Sequence, residues 1–240
     1  MSRIFEALEY AGLAPVEEPE NNVEVRLNLP RPIPSFEEKL LGLYQRIDAL
    51  VENRSGRIVS FAGLTDGDDS STYVLEMARA GSVRLGKRIL VLATCNSGCA
   101  KKLRDSGLTK GWEGISHSAR SINDVVYQIS EPPIAISQLN ATKDALPTLL
   151  ASPRFMNTLR LMRKRYDWIF IDTPPMNGGF DAAMLSPIAD GTVVVVNAGK
   201  VRWQVVRHAV DQIAAQQGNV LGVALNRRRY VIPDFIYRQL

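Results

Sequence analysis

Short apolar runs alternate with amphipathic stretches along most of this chain. Residues 89–93 form an uninterrupted apolar run, which is typical of a parallel strand covered on both faces. The stretches between the runs repeat apolar residues at helical spacing. Strands that alternate with helices predict an α/β fold, a doubly wound and mostly parallel sheet with helices on both faces in three layers. The predicted strands cover residues 57–62, 89–93, 134–139, 168–172, 192–197 and 220–225, and the main predicted helices cover 35–53, 71–83, 153–166 and 203–216.

Residues 1–34 differ in character from the rest of the chain. Apolar residues between Ile4 and Ala11 have the spacing of a short amphipathic helix, and residues 14–34 contain five prolines, a linker composition. The sequence therefore predicts an N-terminal helix and Pro-rich linker over 1–34, and one domain with a tyrosine-bearing tail over 35–240. The first helix either docks on a partner or packs on its own domain, and both alternatives stay open.

Composition narrows the class of protein. A chain of 240 residues with 45% hydrophobic and 22% charged residues has room for a full core, and its net charge of +4 is modest. No apolar run reaches the roughly 18 to 20 residues needed to cross a bilayer, and the N-terminus does not resemble a signal peptide, so we predict a cytoplasmic protein. Cys95 and Cys99 lack the usual spacing of a metal pair, and we expect free thiols.

Residues 58–72 have the layout of a phosphate-binding loop, namely an apolar strand, a Gly/Asp turn and a helix start. A working loop needs glycines that let backbone N–H groups approach the phosphates, a lysine for the β and γ phosphates, and Ser or Thr for Mg²⁺. Gly67 fits the first requirement, and Ser71 with Thr72 fits the last. However, Ser70 occupies the position of the lysine.

The turn also carries three acids, Asp66, Asp68 and Asp69, where a polyphosphate would lie. Two like charges about 4 Å apart at an effective dielectric constant of about 20 repel each other by roughly 4 kcal/mol. Loss of the cation and gain of anions therefore predict that ordinary nucleotide binding is abolished. The same residues also fit a simple capped turn, because Asp and Ser are good N-caps.

An apolar strand over residues 168–171 leads directly to Asp172, which is followed by Thr-Pro-Pro. In a phosphate-binding-loop protein such an acid holds Mg²⁺ through a water or orients the attacking nucleophile. Ligands of doubly wound sheets bind beyond the carboxyl ends of the strands, where Gly67, Asp172 and Asn226 are all expected. Asp172 and Ser71 are therefore the candidate metal ligands if a nucleotide binds.

These motifs resemble the bacterial tyrosine autokinases of capsule and exopolysaccharide assembly. This family belongs to the deviant P-loop ATPases, which also include the chromosome and septum partitioning proteins. The resemblance extends from about residue 35 to the C-terminus, and the segments that carry it are 149–155, 166–175, 189–196, 221–226 and 229–237.

The resemblance implies a P-loop NTPase-like fold, ATP and Mg²⁺ as cofactors, and recognition of the base by Asn226. It also implies that the tail tyrosines Tyr230 and Tyr237 are candidate phosphoacceptors. The apolar tail residues Phe235, Ile236 and Leu240 equally fit a short helix that packs the end of the chain.

Two departures from the family pattern bear on function. Family members have Gly-Glu-Gly-Lys-Ser/Thr where this chain has Gly-Asp-Asp-Ser-Ser at 67–71, and Asp-x-Asp where it has Ala-Thr-Cys at 93–95. Phosphoryl transfer depends on positioning and charge stabilisation, so we expect no intact catalytic set, with Asp172 as the residual acid and no bound cofactor. The predicted vestigial nucleotide site comprises Gly67, Ser70, Ser71, Thr72 and Asn226.

The favoured hypothesis is a catalytically degenerate, kinase-like regulator or scaffold of exopolysaccharide biosynthesis and export. The resemblance implies docking on the cytoplasmic end of a membrane chain-length or co-polymerase protein, which would hold the chain at the inner membrane. An active kinase homologue and further copies of the chain are other expected partners. The alternative is an active ATP-dependent tyrosine autokinase or ATPase with an unorthodox P-loop.

A partitioning-type protein that uses residues 227–229 on DNA or lipid is a third hypothesis. Such proteins cycle with ATP, so the missing lysine argues against it, and we expect no nucleic-acid partner.

Overall fold

The computed structural model describes residues 23–25, 34–51, 56–112, 124–178 and 181–226. The predicted first helix and the tail tyrosines Tyr230 and Tyr237 lie outside these residues. The boundary between a linker and a domain near residue 34 therefore stays a prediction.

The described residues form an eight-stranded sheet with the order β1-β4-β5-β3-β6-β2-β7-β8. Strand β4 runs antiparallel to β5 and parallel to β1, and every other neighbouring pair is parallel. The predicted doubly wound, mostly parallel α/β fold is confirmed. The strands are β1 (Val23–Val25), β2 (Arg57–Gly63), β3 (Ile89–Thr94), β4 (Val126–Ile129), β5 (Ile134–Leu139), β6 (Trp168–Asp172), β7 (Gly191–Asn197) and β8 (Val220–Asn226).

Helices cover both faces of the sheet. They are α1 (Pro34–Leu50), α2 (Ser70–Leu85), α3 (Gly98–Asp105), α4 (Leu146–Leu150), α5 (Pro153–Arg165), α6 (Asp181–Leu185) and α7 (Trp203–Ala215). In strand β6, Trp168 and Phe170 pack in the cluster with α1, α2 and α3, whereas Ile169 and Ile171 pack with α4 and α5. Because successive residues of a strand point to opposite faces, these two clusters lie on opposite sides of the sheet. Within the described ranges, no helix has the length and apolar character needed to span a lipid bilayer.

The elements that the sequence did not predict are short, and one of them begins after a residue with an unusual backbone conformation. Strand β1 has three residues and lies within the segment read as a linker. Helix α3 follows Asn96, which has a left-handed backbone with φ of 66°. Ser97 caps this helix by accepting a hydrogen bond from the Ala100 N–H at 3.2 Å. A helix of eight residues offers too little apolar periodicity to be predicted from spacing alone.

A polar anchor joins β2, α5 and β7 at the amino ends of the strands. The Asp190 carboxylate accepts hydrogen bonds from Arg163 at 2.7 and 2.9 Å and from the Ile58 N–H at 2.7 Å. Arg163 also donates to the carbonyl of Gly56 at 2.9 Å. Gly56 has a φ of +67°, and a Cβ there would overlap the backbone of Arg163. Arg163 therefore faces inward, although it lies in a basic run of the sequence.

Candidate functional site

Two loops and the end of a strand meet at the carboxyl edge of the sheet. Residues 64–69 join β2 to α2, residues 95–97 join β3 to α3, and Asp172 ends β6. Their strands β3, β6 and β2 are adjacent, and Asp172 pairs in register with Ala93 on one side and Phe61 on the other. The predicted gathering of these segments at one edge is confirmed by the strand order.

The β2–α2 loop keeps the backbone geometry of a glycine at a position that holds an aspartate. Asp69 precedes the first residue of α2 and has φ of 53° and ψ of 33°, the left-handed conformation. This conformation is strained for most residues with a Cβ, although Asp tolerates it better than most. Glycine adopts this conformation without steric cost, so the backbone at Asp69 has the geometry that a glycine would favour.

Asp68 points inward, under the loop. Its side chain is fully buried, and Oδ2 accepts hydrogen bonds from the Leu64 N–H at 3.0 Å and from the N–H and hydroxyl of Thr65 at 2.6 and 3.0 Å. Its Oδ1 accepts from the Asn197 N–H at 2.9 Å. These four donors compensate the carboxylate for its loss of water.

The expectation that all three acids lie where a polyphosphate would sit is therefore wrong for Asp68. Backbone donors on two segments hold its charge inside the protein. Asp66 is exposed and Asp69 is half-buried, so the outer surface of the turn carries fewer negative charges than the sequence indicated.

Two asparagines at the ends of neighbouring strands hold the same loop. Asn197 ends β7 and Asn226 ends β8, and the two are paired in register. The Asn197 side-chain amide donates to the carbonyl of Gly67, and that of Asn226 donates to the carbonyl of Asp68 at 3.2 Å. Asn226, predicted to recognise a base, thus contacts the loop itself in this structure. The sequence analysis missed Asn197, whose only signal was its place at the end of an apolar strand.

Asp172 is the centre of a second buried group. It has no exposed surface; its Oδ1 accepts from the Ser71 hydroxyl at 3.0 Å and its Oδ2 from the Cys99 N–H at 3.0 Å. Burial raises the pKa of Asp172 above its ordinary value, although the hydrogen bonds from Ser71 and Cys99 oppose that rise. The predicted closeness of Ser71 and Asp172 is present in the structure.

The first turn of α3 packs directly over this pair. The Gly98 N–H donates to the Ser71 hydroxyl at 2.9 Å, and a Cβ on Gly98 would lie 2.7 Å from that oxygen. Only a glycine fits such a close approach without movement of its neighbours. The hydroxyl of Ser71 therefore donates to one acidic partner and accepts from a backbone amide at the same time.

The two cysteines next to this turn are free, as predicted. Cys99 is fully buried, and its thiol lies 3.7 Å from the carbonyl of Ser71. Burial raises the pKa of the Cys99 thiol, and the nearby Asp172 raises it further. A buried, protonated thiol is a poor nucleophile and a poor metal ligand.

Ser70 and Thr72 complete the predicted nucleotide site in the first turn of α2. Ser70 is buried, and its hydroxyl oxygen lies close to Gly63. A Cβ placed on Gly63 would be 3.2 Å from that oxygen. Thr72 is half-buried. The hydroxyl of Ser70 is neutral, so it supplies no positive charge to a phosphate. A positive charge is the main contribution of the lysine found at this position in a working phosphate-binding loop.

The residues present fit a magnesium triphosphate poorly. Ser71 and Asp172 are adjacent, as a Mg²⁺ site requires, but both carboxylate oxygens and the hydroxyl already have protein partners. Mg²⁺ prefers octahedral oxygen ligands, and it would have to displace these donors. Across the described ranges, His, Cys, Asp and Glu form no group of three or more that could hold a metal ion.

Comparisons with known proteins bear on the resemblance. No protein-family model matches the chain. Tyrosine-protein kinase CpsD of Streptococcus agalactiae is 25% identical over 187 residues, which cover 76% of this chain and 80% of that protein. The solved structure of the VpsO kinase domain matches this chain with a TM-score of 0.63 and 26% sequence identity. The match covers 81% of this chain and 99% of the VpsO domain.

A third comparison concerns the fold alone. The chimerical protein CapA2B2 has a TM-score of 0.71 at 19% identity, over 94% of this chain and 100% of its own. Sequence and fold together confirm the resemblance predicted from the motifs: the chain is similar to bacterial tyrosine-protein kinases and has a P-loop NTPase-like fold.

Proposed function

We propose that this chain is a kinase-like protein of capsule or exopolysaccharide synthesis that acts as a regulator or scaffold and does not transfer phosphate. Its relatives are tyrosine-protein kinases, and it keeps their sheet and helices over most of its length. By the resemblance, Ser70 replaces the lysine of the loop and Ala93 with Cys95 replaces the two acids after β3, whereas Ser71 and Asp172 remain. A scaffold needs the surfaces of the fold but not its catalytic charges.

The main support for this proposal is that Asp172 is enclosed by protein groups. The carboxylate is fully buried and hydrogen-bonded on both oxygens, and α3 packs over Ser71. Phosphoryl transfer relies on cations placed around the phosphate and on a metal that bridges its oxygens. Ser70 stands in place of the lysine and supplies no cation to a phosphate. The Ser71 hydroxyl already accepts a hydrogen bond from the Gly98 N–H, so it is not open to a metal ion.

Calorimetry with ATP and Mg²⁺ on the full chain tests the proposal. We expect no binding heat at nucleotide concentrations up to about 1 mM, which corresponds to less than roughly 4 kcal/mol of binding free energy. Micromolar affinity would overturn the proposal. A double variant, Asp69→Gly with Ser70→Lys, introduces the glycine and the lysine of the family loop and is the matched control, because it should gain affinity if the rest of the fold is competent.

The partner is part of the same proposal. A chain without phosphotransfer acts through contacts, and the resemblance favours the cytoplasmic end of a membrane co-polymerase, which would hold this chain at the inner membrane. The chain shares its fold with the chimerical protein CapA2B2. Pull-down with the cytoplasmic segments of that co-polymerase should retain the chain, and a chain that stays unbound would count against this partner.

An active autokinase is the second candidate, and the contact between Ser71 and Asp172 favours it. In this alternative the two residues hold Mg²⁺, and Tyr230 or Tyr237 receives the phosphate. Incubation with ATP labelled on the γ-phosphate decides between the candidates. Label on either tyrosine that Asp172→Ala abolishes would establish the kinase, whereas an unlabelled tail would eliminate it.

A further inference from the structure

An exposed tryptophan marks one corner of the domain. Trp203, the first residue of α7, is 65% exposed, and it is the most exposed large apolar side chain in the described part of the chain. A tryptophan that packs in a core or an interface removes roughly 150 to 250 Å² of surface from water. Isolated apolar residues at a surface are common, so the surroundings of Trp203 decide whether it marks a contact.

The end of strand β8 adds two apolar side chains beside it. Leu225 and Val223 are 56% and 43% exposed. Their in-register neighbours on β7 pack under α7, so both side chains lie on the face of the sheet that carries this helix. The Ala198 N–H, five residues before Trp203, donates to the carbonyl of Asn226 at 2.9 Å, which places the start of the turn into α7 next to the end of β8.

The side of α7 that carries Trp203 lies toward β8. Val210 follows Trp203 by seven residues, about two helical turns, and therefore lies on the same side of the helix. Val210 and Val220 of β8 pack against the same core cluster beneath α7. We therefore group Trp203, Val223 and Leu225 as one exposed apolar patch, named the β8 corner.

Cations flank the β8 corner. Lys200 and Arg202 are exposed in the turn that leads into α7, and Arg207 is exposed one turn after Trp203. Arg207 has an acidic neighbour, Asp211, at 3.9 Å. Neither Lys200 nor Arg202 forms an ion pair with any acid that the structure describes. The patch is therefore apolar at its centre and positively charged at its rim.

The acids at the same edge of the sheet belong to a loop that leads to the other face. Asp66 and Asp69 lie in the loop that enters α2, and α2 packs with Val193 and Val195. Helix α7 packs instead with the alternate residues of β7, on the opposite face. The acidic loop and the basic turn therefore lead to opposite faces of the sheet.

Helix stability gives no reason for the cations before α7. The first turn of α7 contains no acid, and the side chain of Arg202 at its N-cap makes no capping hydrogen bond. The N-terminal end of a helix carries a partial positive charge, which disfavours nearby basic side chains. An anion outside the chain would offset this repulsion.

We propose that the β8 corner contacts the surface of a bilayer that contains anionic lipids. Tryptophan rings favour the headgroup region of a membrane, where their apolar body and polar N–H are both accommodated. Leu225 and Val223 enter the same layer. Lys200 and Arg202 attract the negative headgroups, as basic residues beside membranes do.

This contact goes beyond the proposed function, in which a membrane co-polymerase holds the chain at the membrane. Here the chain itself touches lipid, and neither a nucleotide nor a protein partner takes part. Failure of either proposal would leave the other intact.

The fluorescence of Trp203 tests the contact in the full chain without a label. The chain has three tryptophans, and the other two, Trp112 and Trp168, are each 1% exposed. Vesicles of mixed phosphatidylglycerol and phosphatidylcholine should move the emission to shorter wavelength, because Trp203 leaves water, and Trp203→Phe should lose this change. Vesicles of phosphatidylcholine alone should cause no shift. An unchanged emission with the anionic vesicles would overturn the proposal.

Charge reversal tests the role of the cations. Lys200→Glu with Arg202→Glu should weaken co-sedimentation with the anionic vesicles by at least about tenfold, because two attractive charges become repulsive. Lys101→Glu with Arg104→Glu is the matched control, because it makes the same change in net charge at exposed positions of α3, on the opposite face, and should bind like the wild type. Equal weakening in the two variants would show that net charge alone drives binding, and this result would contradict a contact through the β8 corner.

A soluble acidic polymer separates lipid from an acidic protein as the partner. Polyglutamate should leave the emission of Trp203 unchanged, because it offers negative charge without an apolar layer. A shift with polyglutamate that matches the shift with vesicles would assign the β8 corner to an acidic protein and rule out the lipid contact.

Discussion

The two ends of the central strands hold buried acids in contrasting surroundings. At the amino ends, Asp190 faces the guanidinium of Arg163. At the carboxyl ends, Asp68 and Asp172 accept hydrogen bonds from backbone amides and hydroxyl groups. The amino end has the charge pairing of a structural anchor. The carboxyl end holds Asp68 and Asp172 with neutral donors.

The largest loss of unfolding free energy should come from replacement of Asp190, the acid paired with Arg163. Asp190→Ala leaves the mostly buried Arg163 with the Gly56 carbonyl but without a charged partner, and loss of one member of a buried ion pair typically costs about 3 to 5 kcal/mol. Urea denaturation measures this loss. Asp211→Ala is the matched control, because Asp211 and Arg207 are exposed and 3.9 Å apart, and it should cost less than about 0.5 kcal/mol. Equal losses in the two variants would show that the amino end is not an anchor.

Removal of the inward acid of the loop should have the next largest effect. Asp68→Ala leaves the buried amides of Leu64 and Asn197 without their acceptor, and we expect a loss of about 2 to 3 kcal/mol in unfolding free energy. The exposed neighbour Asp66 provides the control, since Asp66→Ala should change stability by less than about 0.5 kcal/mol. If Asp68→Ala were as mild as its control, the carboxylate would not hold the loop.

The close packing of α3 should give a smaller loss. Gly98→Ala places a methyl group 2.7 Å from the Ser71 hydroxyl, and overpacking of this kind costs about 1 to 2 kcal/mol. Ser71→Ala removes that oxygen and should relieve part of the strain, so a double-mutant cycle should show a coupling of at least about 0.5 kcal/mol. Additive losses would mean that the two residues do not press on each other.

The smallest effect should be a change in pH dependence. The folded-state pKa of Asp172 lies above the ordinary value of 3.8, because burial disfavours the charged form. The folded protein then holds the proton more tightly than the unfolded chain, so this group's contribution to stability is full below that value and declines as the pH rises through the folded-state pKa.

Asp172→Asn cannot ionise, so its stability relative to the wild type should improve as the pH rises above about 4. Thermal unfolding of both proteins from pH 4 to pH 7 measures this difference. Parallel curves would indicate that the acid titrates as it would in water.

The sequence predicted six of the eight described strands and the meeting of their carboxyl ends, because apolar runs and parallel topology determine both, whereas the short strands β1 and β4 were missed. The contact between Ser71 and Asp172 followed from the same logic. The direction of Asp68 did not, because spacing within a turn does not show whether a side chain points to solvent or under the backbone. Asn197 and Arg163 were missed for a similar reason, since each acts through a partner far away in sequence.

The left-handed backbone at Asp69 has a consequence for engineering this protein. A glycine adopts that conformation without steric cost, so its introduction there should leave the fold intact. The main chain at this position therefore sets no barrier to a glycine-type phosphate-binding loop, and the side chains of the loop and the helix over Ser71 are the features left to vary. Two substitutions, Asp69→Gly and Ser70→Lys, are enough to measure what those side chains contribute to ATP affinity.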